Sequence, residues 1–258
     1  MRKVTRIAAL MAAMLINLTL AVSAQSYSYT LDGKAVESPD THLPVKQIKL
    51  EYDGKQAVSP QDIFYASSGE IYVADTGNDR ILMMDERYNV FGQISSLTDA
   101  SGANQTLKDP EGVFVTDDGR IYIADTGNKR IVVCDKSGRV SMTVQKPTGL
   151  IGIADDAAFN PTKLLVDASD RIYVVARNYN LGILQLDPKG KFVGFVGAPK
   201  VQYSIIQMLW RKISTEEQLS KMEQYVPTEY NNIVLDPEGF VYGTVGTLDS
   251  EKLEQVIA

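Results

Sequence analysis

The chain has 258 residues, 44% of them hydrophobic, with a formal charge of -6, one cysteine and one histidine. This length and apolar content specify a globular chain with a sizeable core and exclude disorder. The acidic balance argues against nucleic-acid backbones and anionic membrane surfaces. A single Cys and a single His leave no material for an intramolecular disulfide, a His/Cys zinc site or a Ser-His-Asp triad.

At the amino end, Arg2, Lys3 and Arg6 precede an apolar run from Ile7 to Val22, and Val22-Ser23-Ala24 places small residues ahead of Gln25. That pattern predicts a secretory signal peptide over 1–24, cleaved after Ala24, and a mature chain working outside the cytoplasm, secreted, periplasmic or at the cell surface. An uncleaved anchor is the competing reading, because the run nearly reaches the span of a thinned bilayer. Residues 25–44 form a polar extension that holds His42. Lys46 to Tyr52 then alternates apolar and polar residues in the manner of a strand.

The dominant feature follows. Gly69-Glu70-Ile71-Tyr72-Val73-Ala74-Asp75-Thr76-Gly77-Asn78-Asp79-Arg80-Ile81 is nearly repeated 50 residues on as Gly119-Arg120-Ile121-Tyr122-Ile123-Ala124-Asp125-Thr126-Gly127-Asn128-Lys129-Arg130-Ile131. The Ile-Tyr-Val element returns at Ile172-Tyr173-Val174 and, weakly, at Val241-Tyr242-Gly243. A fixed period of this size marks a copied supersecondary unit whose apolar face is buried by the next copy. Before each copy stands another apolar strand, Ile63 to Ala66, Val113 to Thr116, Leu164 to Asp167 and Ile233 to Asp236, joined to it by a tight turn such as Asp117-Asp118-Gly119. After the Asp-Thr-Gly-Asn turn come a third strand, Arg80 to Met84 or Arg130 to Cys134, and a fourth, Val90 to Ile94, Val140 to Val144 or Phe192 to Val196. Four short antiparallel strands per repeat make a propeller blade. The predicted blades cover 53–95, 109–146, 160–197 and 230–258. Cys134 reads as a small buried hydrophobe in the run Ile131 to Cys134. Between blades three and four, residues 201–227 predict a helical insertion, with Ser214 and Glu217 as a capping box, Leu219, Met222 and Tyr225 at helical spacing, and Pro227 as the stop.

The pattern Gly-x-Ile-Tyr-Val-Ala-Asp-Thr-Gly-Asn-x-Arg-Ile followed by Asp-x-x-Gly resembles the NHL repeat of β-propeller proteins, from about Val45 to the end of the chain. The resemblance implies an all-β, NHL-type propeller with four recognisable blades where such rings usually have six. An open or truncated ring is the expectation. The other arrangement has Lys46 to Tyr52 supplying the outer strand of blade four and closing a small ring.

Within this frame, Asp75, Asn78 and Arg80, with Asp125, Asn128 and Arg130, read as structural turns: the Asp accepts N–H groups in an Asx turn, Gly77 and Asn78 tolerate left-handed backbone, and the Arg pairs with a carboxylate. Alternation of strand direction puts these turns, the connections between blades and the insertion on one rim. There Asp62, Glu111, Lys163, Asn231 and Asn232 stand near the start of the innermost strands, and Trp210, flanked by Arg211 and Lys212, is an interaction candidate in the insertion. The polar ring can hold a small ligand or simply hydrate a channel mouth. No catalytic or metal-ligating residue is assigned and no cofactor is expected. The resulting expectation is an exported, non-catalytic binding or scaffold module for a protein, peptide or glycan. The alternative is an enzyme resembling propeller lactonases and lyases, with Ca²⁺ in the central channel held by Asp62, Glu111, Asn231 and Asn232.

Overall fold

The computed structural model describes residues 27–30, 32–37, 45–197, 230–245 and 256–257. The expected signal peptide, His42, the helical insertion over 201–227 and Trp210 within it lie outside these residues. The chain divides into two compact units, Met1–Ile48 and Lys49–Ala258. In the first, β1 (Tyr27–Tyr29) and β2 (Ala35–Glu37) pair antiparallel, and the Gly33 N–H closes their turn on the Thr30 carbonyl.

The second unit opens with a short hairpin, β3 (Glu51–Tyr52) and β4 (Lys55–Gln56). Blade one is the antiparallel sheet β5 (Asp62–Tyr65), β6 (Ile71–Asp75), β7 (Arg80–Met84) and β8 (Val90–Ile94). A second hairpin, β9 (Ser96–Thr98) and β10 (Asn104–Thr106), leads to blade two: β11 (Pro110–Val115), β12 (Ile121–Asp125), β13 (Arg130–Cys134) and β14 (Val140–Val144). Blade three is β15 (Pro161–Val166), β16 (Ile172–Ala176), β17 (Ile183–Leu186) and β18 (Phe192–Val196). The fourth sheet, three-stranded among the described residues, is β19 (Tyr230–Leu235), β20 (Val241–Val245) and β21 (Val256–Ile257). The fold is thus all-β and propeller-like, its only described helices being single 3-10 turns at Thr76–Asn78 and Thr126–Asn128.

Each central strand is a continuous apolar run because both of its faces are covered: β6, β12 and β16 are buried at every position. Alternation sends Phe64, Tyr72, Ala74, Ile81 and Met83 of blade one forward onto Val113, Val115, Ile121, Ile123, Val132 and Cys134 on the rear face of blade two. Blade two sends Tyr122, Ala124, Ile131 and Val133 onto Leu164, Val166, Ile172 and Val174 of blade three. Blade three sends Leu165, Tyr173 and Val175 onto Tyr230, Ile233 and Val241 of the fourth sheet. Every junction therefore joins a forward face to a rear face, and each large side chain so buried contributes about 1.5–3 kcal/mol.

Two features depart from the sequence reading. Glu51–Tyr52 does not complete blade four: it pairs with Lys55–Gln56 and lies against β8, the outer strand of blade one. The β9–β10 hairpin carries no repeat signature, yet its Leu97 is buried in the core between blades one and two, with Leu107 just beyond it. The Thr98 N–H donates to the Gly138 carbonyl at 2.8 Å, which docks the hairpin on the last turn of blade two.

Candidate functional site

The repeated turn is built around a carboxylate with no exposed surface. Asp75 Oδ1 accepts the Val58 N–H at 2.7 Å, while Oδ2 accepts Asn78 Nδ2 at 2.9 Å and Arg80 Nε at 2.6 Å. Asp125 repeats this with Lys108 N at 2.8 Å, Asn128 Nδ2 at 2.9 Å and Arg130 Nε at 2.7 Å. The backbone partner lies 17 residues upstream, so neither is the local Asx turn that the sequence suggests. The guanidinium continues the path: Arg80 donates to the Tyr52 and Lys55 carbonyls and to Gln93 Oε1, and Arg130 donates to Gln105 Oε1 and the Thr106 carbonyl. Each turn thus ties the hairpin before its blade to that blade, and the hydroxyls of Thr76 and Thr126 donate onward to the Pro110 and Pro161 carbonyls of the next blade, both at 2.6 Å.

Left-handed backbone sits one residue later than expected, at Asp79 (φ 55) and Lys129 (φ 57) instead of Gly77 and Asn78. The glycine is required for a different reason. A Cβ on Gly77 would stand 2.8 Å from the Val58 carbonyl oxygen, and one on Gly127 the same distance from that of Lys108, the very oxygens to which the glycine N–H groups donate.

At the start of the innermost strands the structure brings three of the five candidate rim residues together. Lys163 Nζ lies 2.8 Å from Asp62 Oδ1 and donates to the main-chain oxygens of Gln61 and Glu111, so one ammonium from blade three spans to blades two and one. Asp62 Oδ2 accepts the Val113 N–H of blade two at 3.0 Å. Glu111 is paired with Arg177 at 2.6 Å. Arg177 was not a candidate from sequence, because the motif turn is lost in blade three and nothing marks its arginine there. Asn231 and Asn232 stand exposed on β19, and Asn232 Oδ1 accepts the Ile233 N–H at 2.9 Å. Most partners in this cluster are carbonyls and N–H groups on the free edges of innermost strands, groups that need a partner once they are partly desolvated.

Other titratable groups tie the blades together on the hairpin side. Burial works to raise the Glu70 carboxyl, but donors from Lys136, Tyr72 and Ser68 outweigh it and hold the group below its ordinary value of 4.5. Arg120 pairs with Asp118 at 2.8 Å and with Asp170 of blade three at 2.6 Å. The Cys134 thiol is buried, and desolvation with the nearby Asp135 pushes it up to about 12, as suits a small hydrophobe in the core.

Residues 107–134, running from the end of the β9–β10 hairpin through β13, match the family described as NHL repeat. No curated protein matches the chain. Among solved structures, the chain is similar to virginiamycin B lyase from Staphylococcus aureus at 12% identity and a TM-score of 0.43, over 90% of this chain and 61% of the lyase. It is similar to a gluconolactonase from Xanthomonas campestris at 16% identity and a TM-score of 0.48, over 85% of this chain and 62% of that one. A third is the extracellular domain of a hybrid two-component system from B. thetaiotaomicron, at 14% identity and a TM-score of 0.42, over 77% of this chain and 24% of that one. The chain spans less than two thirds of the length of each.

Proposed function

We propose that this chain, an NHL-repeat protein built of propeller blades, is an exported, non-catalytic binding or scaffold module that holds a protein, peptide or glycan at the rim around Asp62, Glu111, Lys163 and Arg177, together with the segment that carries Trp210. The observation behind this reading is the state of the acids at the strand starts: Asp62 is taken by Lys163 and Glu111 by Arg177. A carboxylate committed to an ion pair and to edge N–H groups is a poor general base and a poor metal ligand. Arg177 keeps a half-exposed side chain, suited to carboxylate or hydroxyl groups of a partner. Asn231 and Asn232 are exposed on β19, open to polar groups of a partner.

The lactonase- or lyase-like alternative needs oxygen ligands converging on Ca²⁺. These residues do not fit that ion: the Lys163 ammonium stands 2.8 Å from Asp62, where a cation would have to sit. Among the described residues no group of three or more His, Cys, Asp or Glu side chains is placed to hold a metal. Export rests on the signal pattern over 1–24, and amino-terminal sequencing of the secreted fraction should begin at Gln25.

The test is a pull-down from the exported fraction with the full chain and with Arg177→Ala and Trp210→Ala. A partner retained by the parent and lost by either variant is the expected result. A stoichiometric, tightly held Ca²⁺ that disappears in Asp62→Ala or Asn231→Ala would overturn the reading in favour of the enzyme.

A further inference from the structure

The connections that lead into blades one, two and three are not held alike. The first two contain the β3–β4 and β9–β10 hairpins, each clamped by the buried Asp and the Arg of that blade's own turn. The third, residues 145–160, contains no strand. Opposite the proline that opens the innermost strand, where blade two has Asp125, blade three has Ala176. Its turn therefore has no carboxylate to take a main-chain N–H, and Arg177 is turned to Glu111 instead. Among the described residues a single hydrogen bond ties the third connection to that turn, from the Arg177 N–H to the Asn160 carbonyl at 3.0 Å. Its other described polar contacts are internal: Lys146 Nζ donates to the Ala154 and Asp155 carbonyls at 3.2 and 2.7 Å, which clips residues 146–155 into one closed loop.

Apolar contact does the rest. Leu150, Ile153 and Ala157 pack on the core that contains Phe159 and Tyr179, and a Cβ on Gly152 would stand 2.8 Å from Leu181 Cδ1. A cleft of about 220 Å³ between Lys146, Leu150, Ile153 and Asp155 leaves this cover incompletely packed, and Ile151 at its tip is 81% exposed. Tyr179 stands three residues after Ala176, as Asn128 stands three after Asp125, and is only 4% exposed. Neither its hydroxyl nor the Asn180 side-chain oxygen, both buried, has a hydrogen-bond partner among the described residues. Polar groups shut away in this state penalise the closed arrangement and are hydrated when it opens.

We propose that residues 146–160 are a lid, which moves away from the turn of blade three as one unit, breaks the bond between Arg177 and Asn160, and bares the Phe159–Tyr179 pair. The first two connections stay shut because a buried ion pair and a paired hairpin hold each of them. Arg177, paired with Glu111 at the rim, is the point where lid and rim meet. The lid nevertheless goes beyond the binding role, since its motion needs no ligand and is read without one.

Amide exchange followed by NMR on the full chain tests this, because the Gly127 N–H holds the second connection through the Lys108 carbonyl just as the Arg177 N–H holds the third. After correction for intrinsic rates, Arg177 is expected to exchange about tenfold or more faster than Gly127. Tyr179→Phe removes an unpaired hydroxyl and keeps the ring, so it should slow Arg177 by about fivefold and leave Gly127 unchanged. Nitration by tetranitromethane reads the floor of the lid: Tyr179 should react, while Tyr72 and Tyr122, buried in the clamped blades, should not. Arg177 exchanging no faster than Gly127, exchange at Arg177 that Tyr179→Phe leaves unchanged or speeds, or a Tyr179 no more reactive than Tyr122 overturns the proposal. The two measurements on the parent decide even if the variant fails to fold.

Discussion

Asp75 and Asp125 have no exposed surface, and a buried carboxylate is tolerated only when donors meet both of its oxygens and a counter-charge stands beside it. Here a main-chain N–H, an amide and a guanidinium meet them. Asp75→Ala leaves the buried Arg80 without its counter-charge and should cost about 3–5 kcal/mol in urea unfolding. The opposite sign is expected at Lys129, an exposed residue held at φ 57. Lys129→Gly relieves left-handed strain and should raise stability by about 0.5–1 kcal/mol by the same assay. Glu70 supplies a pH dependence. Its folded value lies below 4.5, so its stabilisation is complete above that pH and is lost as pH falls through the lower folded value. The melting temperature should therefore drop on acidification below about pH 4.5, and Glu70→Gln should flatten that slope.

At the scale of elements, the two short hairpins determine how the outer edges of blades one and two are finished. The β3–β4 hairpin is held by Arg80, and the β9–β10 hairpin is held by Arg130 and by the turn at Gly138. At φ 79, with the Ser96 carbonyl oxygen only 2.4 Å from where a Cβ would stand, Gly138 admits no side chain. Gly138→Ala should cost about 1 kcal/mol or more and release the hairpin, seen as faster amide exchange at Thr98, whose N–H donates to Gly138. Exchange unchanged at Thr98 would show that the hairpin is held by Leu97 burial alone.

For the second unit as a whole, Lys163 is the one described side chain in the strand-start cluster that touches three blades. Lys163→Met keeps the stem but strands Asp62 and two edge carbonyls, and should destabilise by about 2 kcal/mol, less than a fully buried pair because both partners keep some exposure. If Lys163 is structural in this way, Asp62→Asn together with Lys163→Met should lose less than the two single losses added, since each change removes the other's unmet charge.

What was legible in the residues was whatever repeats. Strands such as Arg80–Met84, Val90–Ile94 and Val140–Val144 stand where periodicity and turn chemistry put them, because local pattern and blade architecture demand the same residues. The β9–β10 hairpin was not legible, since Ser96–Thr98 and Asn104–Thr106 occur once and are stabilised by docking on another element. The candidate site divides in the same way. Asp62, Glu111 and Lys163 could be singled out by position along the chain, but their pairing, the part played by Arg177, and the distant backbone partners of Asp75 and Asp125 depend on groups 17 to 102 residues away. By itself the sequence determined the blades, whose hydrogen bonds and alternation are local; the joining of one blade to the next only the tertiary structure decided, because those contacts cross between repeats.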